Sequence, residues 1–416
     1  MELLNFGSCN IDYVYQLDHI VAVGETEIAS RMECFPGGKG LNQSIAAARA
    51  GATVFHAGCI GEDGEFLRDT LKESGVDTTY LRTLAGRSGH AIIQVSARGE
   101  NAIFPFPSTN GMITCEFVDE VLSHFERDDI LLLQNEINNL DYIVKAAHAR
   151  GMRIVLNPSP FNDALRSIDF GMLWCVVLNE VEASEVVGGD DPRECLTRLR
   201  MRYPALRVML TLGKEGCIYA DERETVSHPA FLVKAVDTTA AGDTFMGYFL
   251  AALMADKSPR EAIRMASAAS AIAVSRKGAA PSIPAYPEVE EALLTLAPAG
   301  EAQNAADRTR ESVEAYLDGH LADATLTALA KNLGYSAVYT GALVRRVCGK
   351  SFTELLRERR IRLAAKLLRE DRLSVEEIIA QVGYKNRSFF REHFREAYGK
   401  TPRDYRNMMR GKEHDA

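Results

Sequence analysis

The chain has 416 residues, of which 46% are hydrophobic and 25% are charged, and its formal net charge is −9. This composition is typical of soluble globular proteins, and the length allows two domains. The sequence contains no long apolar run and no basic segment followed by an apolar one at its start, so we expect no membrane span, no signal peptide and a cytoplasmic location. Its eight cysteines form no CxxC pair, which argues against a disulfide framework or a zinc site.

Charge is distributed unevenly along the sequence. Residues 325–416 carry 20 basic and 11 acidic side chains, a balance of +9, whereas the remaining residues carry 28 and 46, a balance of −18. A basic C-terminal region attached to an acidic body indicates two different partners. We expect nucleic acid for the C-terminal region and a small molecule for the rest.

The first elements combine a buried strand with a glycine-rich helix start. The segment LLNFGSCNIDYVY predicts a strand that runs into the polar residues Asn10 and Asp12. The glycines of FPGGKG open an alanine-rich helix that carries Lys39 and Asn42 in its first turn. Gly51 suits the end of that helix, because glycine tolerates the left-handed conformation found there.

Strands and helices then alternate along the chain. Residues 89–107 predict a hairpin that turns at 98–101. From about 117 to 220, apolar runs separated by helical stretches predict parallel strands in a doubly wound α/β sheet. Such sheets bind ligands beyond the carboxyl ends of their strands. Five residues lie at such ends: Asn10, Glu136, Asn157, Asn179 and Gly213.

The stretch DTTAAGDTFMGYFLA, residues 237–251, predicts an anion site. Ala241 and Gly242 lead into Asp243 and an apolar helix, and the unpaired N–H groups at a helix start attract anions. A carboxylate beside an anion site is electrostatically unfavourable, so we expect Asp243 to have a function there. General base is the obvious one. The alternative is that Asp243 merely caps a buried helix.

The last hundred residues differ from the rest in their sequence pattern. Residues 296–310 lack apolar periodicity and predict a linker between a domain at 1–295 and a second at 311–416. In the second domain, RRVCGKSF and ALAKNLGY recur about 50 residues later as REAYGKTP and IIAQVGY. Each copy predicts a helix, a Gly-Tyr turn and a second helix, which is the helix-turn-helix arrangement. A basic helical module for protein docking is the alternative.

Two ordered signatures resemble those of the ribokinase (PfkB) family of carbohydrate kinases. GGKGLNQSIAAARAG at 37–51 resembles the first signature and DTTAAGDTF at 237–245 the second, with NxxE and TLGxxG between them. The resemblance covers roughly residues 1–293. It implies a ribokinase-like fold, that is, a doubly wound, mostly parallel sheet with a small β lid at the predicted hairpin. It also implies a homodimer formed through that lid.

The resemblance implies a role for each matching residue. Asp243 would deprotonate the sugar hydroxymethyl group, and the N–H groups of Ala241, Gly242 and Asp243 would hold the transferring phosphoryl group, because this chemistry needs mainly positioning and charge neutralisation. The sugar would be bound by residues that match the family's sugar site: Asn10, Asp12, Gly38, Lys39, Asn42, Glu136 and Asp243.

The same resemblance implies ATP, Mg²⁺ and K⁺ as ligands. The nucleotide would lie against residues of the intervening motifs: Asn179, Thr211, Gly213 and Gly216. Asn179 and Glu182 would hold Mg²⁺ through water, which that ion gives up reluctantly; their alternative reading is a helix N-cap and a first-turn glutamate. A monovalent-cation site would be formed by Asp237, Thr239, Gly278 and Ser282.

The C-terminal region resembles the paired helix-turn-helix domain of AraC-type regulators, most clearly in GYKNRSFFREHFREAYGKTPRDYR. In its second recognition helix, four side chains can read base edges: Arg387, Ser388, Arg391 and Glu392. In the first such helix, at about 336–348, the outward positions Gly341 and Ala342 carry no hydrogen-bonding group. We interpret the following as core residues: Tyr339, Leu343, Phe389, Phe390 and Phe394.

Together these patterns predict an ATP-dependent sugar kinase, with ribose as the implied substrate, that carries an all-α double helix-turn-helix domain for double-stranded DNA. Two alternatives stay open. One is a transcriptional regulator whose kinase fold senses a sugar without turnover. The other is a kinase for a different PfkB substrate, such as fructose or a nucleoside.

Overall fold

The computed structural model describes residues 1–298, 310–333 and 337–414. The chain divides into two compact units, Met1–Ala299 and Gly300–Ala416. Each unit has its own apolar core, two clusters in the first and two smaller clusters in the second. The domain limits at 295 and 311 remain predictions, and most of the predicted linker lies outside the described residues.

The first unit contains two β-sheets. In chain order the strands are β1 (Leu3–Phe6), β2 (Asn10–Leu17), β3 (Arg31–Gly37), β4 (Val54–Ile60), β5 (Leu81–Thr83), β6 (Gly89–Ser96), β7 (Asn101–Phe106), β8 (Ile130–Gln134), β9 (Arg153–Asn157), β10 (Cys175–Asn179), β11 (Arg207–Thr211), β12 (Cys217–Ala220) and β13 (Thr225–His228). The large sheet has the order β13-β12-β11-β10-β9-β8-β1-β4-β5. Neighbouring strands pair in parallel, except that β12 pairs antiparallel with both β11 and β13. This confirms the predicted mostly parallel sheet.

Helices cover both faces of the large sheet. They are α1 (Lys39–Arg49), α2 (Glu65–Glu73), α3 (Cys115–Leu122), α4 (Leu140–Ala149), α5 (Glu180–Val187), α6 (Pro192–Arg202), α7 (Ala241–Met254), α8 (Pro259–Val274) and α9 (Tyr286–Thr295). Leu3 packs into the cluster that includes α1, α7 and α8, whereas the next residue, Leu4, packs into the cluster with α3, α4 and α6. Strand residues thus alternate between two buried faces, so the strands read as continuous apolar runs.

Helices α1 and α7 approach each other closely. A Cβ at Gly247 would lie 2.4 Å from the Cβ of Ala46, so only glycine allows this spacing. Gly247 is one turn beyond Asp243, and Ala46 is one turn beyond Asn42. The close packing therefore brings the first turn of α1 within reach of the first turn of α7.

The small sheet has four strands in the order β3-β2-β6-β7. Strands β6 and β7 form the predicted hairpin at 89–107. Strand β7 is an edge strand, and it leaves Ile103, Phe104 and Phe106 more than half exposed.

The second unit is helical throughout its described part. Residues 310–319 form α10, followed by α11 (Leu326–Leu333), α12 (Ala337–Cys348), α13 (Phe352–Glu370), α14 (Val375–Gln381), α15 (Arg387–Tyr398) and α16 (Pro402–His414). The long helix α13 contributes to both clusters, which joins the two predicted repeats, α11–α12 and α14–α15. The second Gly-Tyr turn has Gly383 at a φ of 81°; the first lies outside the described residues.

Candidate functional sites

Four of the five polar residues predicted at the ends of the strands lie at one edge of the large sheet. Asn10 does not, because the predicted first strand is two strands: β1 ends at Phe6, and Asn10 begins β2 of the small sheet. Asn157 and Asn179 are the last residues of β9 and β10, and Glu136 and Gly213 follow β8 and β11 by two residues. The carboxyl ends of the adjacent parallel strands β8 to β11 therefore share a polar rim, as the alternation of strands and helices predicts.

Asp243 lies in the first turn of α7 and is only 7% exposed. Its Oδ1 accepts a hydrogen bond from Gln43 Nε2 at 2.9 Å, and its Oδ2 accepts one from Asn42 Nδ2 at 3.1 Å. The residue that caps α7 is Ala240, with a φ of 58°. The alternative role of Asp243 as the helix cap is therefore wrong: its carboxylate is held by side chains of α1.

The backbone at the start of α7 retains open space beside Asp243. A Cβ placed on Gly242 would meet no atom within 4 Å. The first N–H groups of a helix have no partner inside it. Ala241 departs from this expectation, because its N–H donates to the Thr238 carbonyl at 3.3 Å. Gly242 and Asp243 thus provide the better-placed donors for an anion.

Asn10 and Asp12 lie on β2, close to the start of α1. Asn10 Oδ1 accepts a hydrogen bond from Asn110 Nδ2 at 2.7 Å. Asp12 lies over Gly37, where a Cβ would come within 2.0 Å of its carboxylate. Burial, reinforced by the nearby charges of Glu136 and Asp243, raises the pKa of Asp12 to about 7.

Lys39 and Glu136 form the charged side of the same site. The Glu136 carboxylate accepts hydrogen bonds from the Ser8 hydroxyl and, at 3.1 Å, from the Lys39 backbone N–H. Burial raises the pKa of Glu136 although Lys39 opposes this rise. Burial works to lower the pKa of Lys39, but the carboxylates of Asp243, Glu136 and Glu182 outweigh it, and the pKa is raised. Lys39 therefore stays charged among these acids.

Asn42 has one unsatisfied atom. Its Nδ2 donates to Asp243, whereas its Oδ1 is buried without a hydrogen-bond partner among the described residues. Gly38 caps α1 with a φ of 93°, a conformation that residues with a Cβ rarely adopt. The amino-acid residues that the sequence predicts to bind the sugar are thus linked by direct contacts or by mutual electrostatic effects.

Sequence reasoning missed the side chains that hold these residues in place. Gln43 binds Asp243, Asn110 binds Asn10, and Ser8 binds Glu136. Gln134 supports Gln43 by donating to its Oε1 at 2.8 Å. A signal for Gln134 was available, because it is the one polar side chain in the strand ILLLQ, and a buried polar side chain needs a partner.

Asn179 and Glu182 form a reciprocal capping box at the start of α5. Asn179 Oδ1 accepts from the Glu182 N–H at 2.9 Å, and Glu182 Oε2 accepts from the Asn179 N–H at 3.0 Å. The capping interpretation of the sequence is therefore confirmed. It leaves a role toward a metal open, because Glu182 Oε1 takes no part in the box.

Thr211 ends β11, and the turn that follows depends on two glycines. Gly213 and Gly216 have φ values of 50° and 103°. A Cβ at Gly216 would approach the His228 carbonyl oxygen to 2.0 Å. The TLGxxG motif is therefore required for a tight turn that leaves β11 at the polar rim.

Three of the four residues predicted for a monovalent cation are joined by hydrogen bonds. Asp237 Oδ1 accepts from the N–H and the hydroxyl of Thr239 at 2.9 and 2.6 Å, and Oδ2 accepts from the Gly278 N–H at 3.0 Å. Burial opposes ionisation, but these bonds lower the pKa of Asp237. Ser282 is buried and donates to the Ala279 carbonyl at 2.7 Å.

The second recognition helix is α15, which Asn386 caps. All four side chains predicted to read DNA are exposed: Arg387, Ser388, Arg391 and Glu392. Phe390 and Phe394 are fully buried, as predicted, but Phe389 is 57% exposed. Its assignment to the core is wrong, because its ring is mostly exposed and stacks on the ring of His393, with the centroids 6.3 Å apart.

The first recognition helix is α12, where Leu343 is buried as predicted. Gly341 does not point outward, because a Cβ there would lie 3.4 Å from Leu326 of α11. The side chains of Tyr339 and Ala342 lie outside the described residues. Among the helices that the structure describes, none is long and apolar enough to cross a membrane.

A doubly wound sheet, a small second sheet and a carboxylate at a helix start beside the strand ends define the first unit as a ribokinase-like α/β fold. Comparison with known families agrees, because residues 2–286 match the pfkB family of carbohydrate kinases. The chain belongs to this family, which confirms the predicted enzyme class. Residues 329–408 match a helix-turn-helix domain family, which confirms the predicted AraC-type domain.

Individual proteins show the same relationship. A ribokinase of Haemophilus influenzae is 35% identical over 299 residues, which cover 69% of this chain and 96% of that protein. The crystal structure of a Thermotoga maritima ribokinase matches with a TM-score of 0.64 and 33% identity over 71% of this chain and all of that one. The structure of Arabidopsis thaliana ribokinase complexed with ribose and ATP matches with a TM-score of 0.60 and 26% identity, over 70% of this chain and 98% of that one.

Proposed function

We propose that the first unit transfers a phosphoryl group from ATP to the hydroxymethyl group of a sugar, with ribose as the substrate. The observation that carries this proposal is the buried carboxylate of Asp243, held by two amides beside the open start of α7. A base fixed next to backbone donors matches what phosphoryl transfer requires. The relatives named ribokinase support ribose as the sugar.

Each group at the site has a role in this proposal. Asp243 removes the proton from the attacking hydroxyl, and the N–H groups of Gly242 and Asp243, with that of Ala241 once released from Thr238, bind the transferring phosphoryl oxygens. Asn10, Asp12 and Asn42 bind sugar hydroxyls, and the unpaired Oδ1 of Asn42 fits an acceptor for one of them. Lys39 and Glu136 complete the sugar site, with Gly38 allowing close approach.

Mg²⁺ and ATP fit the neighbouring rim. The Asn179 carbonyl and the Glu182 carboxylate are the oxygen ligands that suit Mg²⁺, and their capping box favours contact through water over direct ligation. When bound, the ion neutralises phosphate charge. The turn from Thr211 through Gly213 to Gly216 provides a glycine-lined surface for the nucleotide phosphates. K⁺ at Asp237, Thr239, Gly278 and Ser282 is the remaining part of the proposal.

Turnover of several sugars by full-length protein tests this function. We expect ADP release with ATP, Mg²⁺ and ribose to exceed that with 2-deoxyribose, fructose or a nucleoside, and we expect the product to be the sugar monophosphate. Faster release with fructose or a nucleoside would reassign the substrate. Sugar binding without any ADP release would instead support a sensor that does not turn over.

For the second unit we propose sequence-specific binding of double-stranded DNA through α15. The exposed Arg387, Ser388, Arg391 and Glu392 carry this proposal, since such side chains read base edges in the major groove. Exposed Phe389 adds an apolar group suited to the thymine methyl. Selection from random duplexes, followed by titration at several salt concentrations, tests it. Equal affinity for selected and random duplexes would leave only non-specific binding.

We also infer that the first unit forms a homodimer through the small sheet. Edge strand β7 exposes Ile103, Phe104 and Phe106, and an exposed apolar edge is otherwise an aggregation hazard. Sedimentation of Phe104→Lys beside the wild type tests this inference. A wild-type protein that sediments as a monomer at micromolar concentration would contradict it.

A further inference from the structure

A buried chain of amide side chains extends from Asp243 into the large sheet. Gln43 Nε2 donates to Asp243 Oδ1 at 2.9 Å, and Gln43 Oε1 accepts from Gln134 Nε2 at 2.8 Å. Gln134 also donates to Asn5 Oδ1 at 3.0 Å. Gln43, Gln134 and Asn5 are almost completely inaccessible to solvent. None of the three belongs to the set that contacts the sugar in the proposed function.

The orientation of the Gln43 amide is fixed from two sides. Its nitrogen also faces Asn157 Oδ1 at 3.2 Å, and Asn157 Nδ2 in turn donates to the Val177 carbonyl at 3.1 Å. The Val177 carbonyl therefore fixes the orientation of the Asn157 amide. Asn157 and Gln134 together fix the orientation of the Gln43 amide. The nitrogen of Gln43 must then point at the Asp243 carboxylate.

The end of the amide network that lies farthest from Asp243 is uncharged and well hydrogen-bonded. Asn5 Nδ2 donates to the Gly40 carbonyl and the Ser44 hydroxyl, both at 2.8 Å, and Ser44 contacts His56. Burial lowers the pKa of His56 to about 4, so this imidazole is neutral at physiological pH. Gln134 Oε1 is buried without a partner among the described residues, which costs free energy. A network with a purely structural role would gain nothing from leaving this oxygen atom unpaired.

We propose that Gln43, oriented by Gln134 and Asn157, is a positioning residue that holds the Asp243 carboxylate in line with the sugar hydroxyl. This proposal rests on the proposed role of Asp243 as the general base. Asp243 has a second support in Asn42 Nδ2, but Asn42 also faces the sugar. Gln43 bonds Asp243 but is not one of the residues proposed to bind the sugar, so its loss should affect the chemical step and spare sugar binding.

A graded series at position 43 tests the proposal by single-turnover phosphorylation of ribose. Gln43→Met keeps the side-chain length without the donor, and we expect it to slow the transfer about 10- to 100-fold, as expected for a misplaced catalytic group, with sugar affinity changed less than about twofold. Gln43→Glu keeps the shape but places a second carboxylate beside Asp243. The acid limb of the pH–rate profile is the range in which the rate falls as the pH is lowered. This limb should therefore move to higher pH in the order wild type, Gln43→Met, Gln43→Glu.

Other charged groups near Asp243 are common to every variant in the series. They are Asp12 on β2, Lys39 on α1 and Glu136 beyond β8. The order of the acid limbs therefore reports the residue at position 43. Asn138→Leu is the control, because it too removes a hydrogen-bonded amide; the Asn138 amide makes two hydrogen bonds, both with the Ile113 backbone and away from Asp243. It should lower thermal stability and leave the transfer rate unchanged.

The outcomes separate this inference from the proposed function. Asp243→Asn at the wild-type rate would overturn the role of Asp243 itself. An inactive Asp243→Asn together with a Gln43→Met that matches the wild type in rate and acid limb would overturn only the positioning role. If Gln43→Met does not fold, Gln134→Met decides: it should slow transfer several-fold at unchanged sugar affinity, and a wild-type rate would contradict the proposal.

Discussion

The two units of the chain place their functional side chains in opposite environments. In the first, Asp243 is buried and fixed by amides from a neighbouring helix, and its site draws residues from several strands and helices. In the second, the proposed DNA-reading side chains are exposed and come from the single helix α15. Catalysis needs donors and bases that are oriented before the reaction, whereas base reading needs side chains that can enter a groove. Substitutions should therefore act differently in the two units.

Gly242→Ala should have the largest effect. The added Cβ meets no atom within 4 Å, so the fold should tolerate it and gain up to about 1 kcal/mol in helix stability. The same methyl group would enter the space where the phosphoryl group approaches the backbone. We expect phosphoryl transfer to fall by on the order of 10²-fold, as when an oxyanion donor is lost.

Thermal melting and steady-state kinetics measured together check this prediction. Gly319→Ala is the matched control, because its Cβ also meets no atom within 4 Å but it lies at the end of α10. The control should leave the transfer rate unchanged. An active Gly242→Ala enzyme would show that the start of α7 is not the phosphoryl site.

Arg391→Ala should have the next largest effect, on DNA discrimination. Losing one base contact costs about 1–3 kcal/mol, or roughly 5- to 150-fold, at a single base pair. Arg362→Ala on α13 is the comparison: this exposed side chain should contact phosphates and weaken all duplexes evenly. Titrations of a selected duplex and its single-base variants distinguish the two. Uniform weakening by Arg391→Ala would remove α15 from sequence reading.

Sugar affinity should change with pH by about tenfold. Because burial and acidic neighbours raise the pKa of Asp12 to about 7, this carboxyl is mostly protonated at pH 6 and mostly ionised at pH 8. The ionised form is the better acceptor for sugar hydroxyls, so the Kd for ribose should fall as the pH rises through 7. Calorimetry across this range checks the effect, and Asp12→Asn should abolish it. A pH-independent Kd in the wild type would contradict it.

Potassium should have the smallest effect, a several-fold activation. The hydrogen bonds from Thr239 and Gly278 lower the pKa of Asp237, so a charged carboxylate is available close to the start of α7. Activity in potassium should exceed that in sodium at equal ionic strength, with lithium as a further control. Equal activity in all three would remove the cation from the proposal.

Much of the fold and of the candidate site could be predicted from the sequence, because glycine signatures and apolar runs follow local rules. The parallel sheet, the hairpin at 89–107 and the start of α7 near Asp243 follow from such patterns. Gln43 and Gln134 could not be paired in advance, since their contact depends on how α1 packs against the sheet. The core prediction for Phe389 is wrong because aromatic residues at helical spacing usually lie in a core, and only the observed packing shows that this residue of α15 is exposed.

The central claim is that one chain combines a sugar kinase with a DNA-binding domain, and one paired measurement tests it most directly. Full-length wild type and Asp243→Asn are compared for single-turnover phosphorylation of ribose and for affinity to the selected duplex. We expect the variant to lose on the order of 10²–10⁴ in rate and to bind DNA as the wild type does. A wild type that phosphorylates none of the tested sugars, or a variant that phosphorylates ribose at the wild-type rate, would contradict the claim.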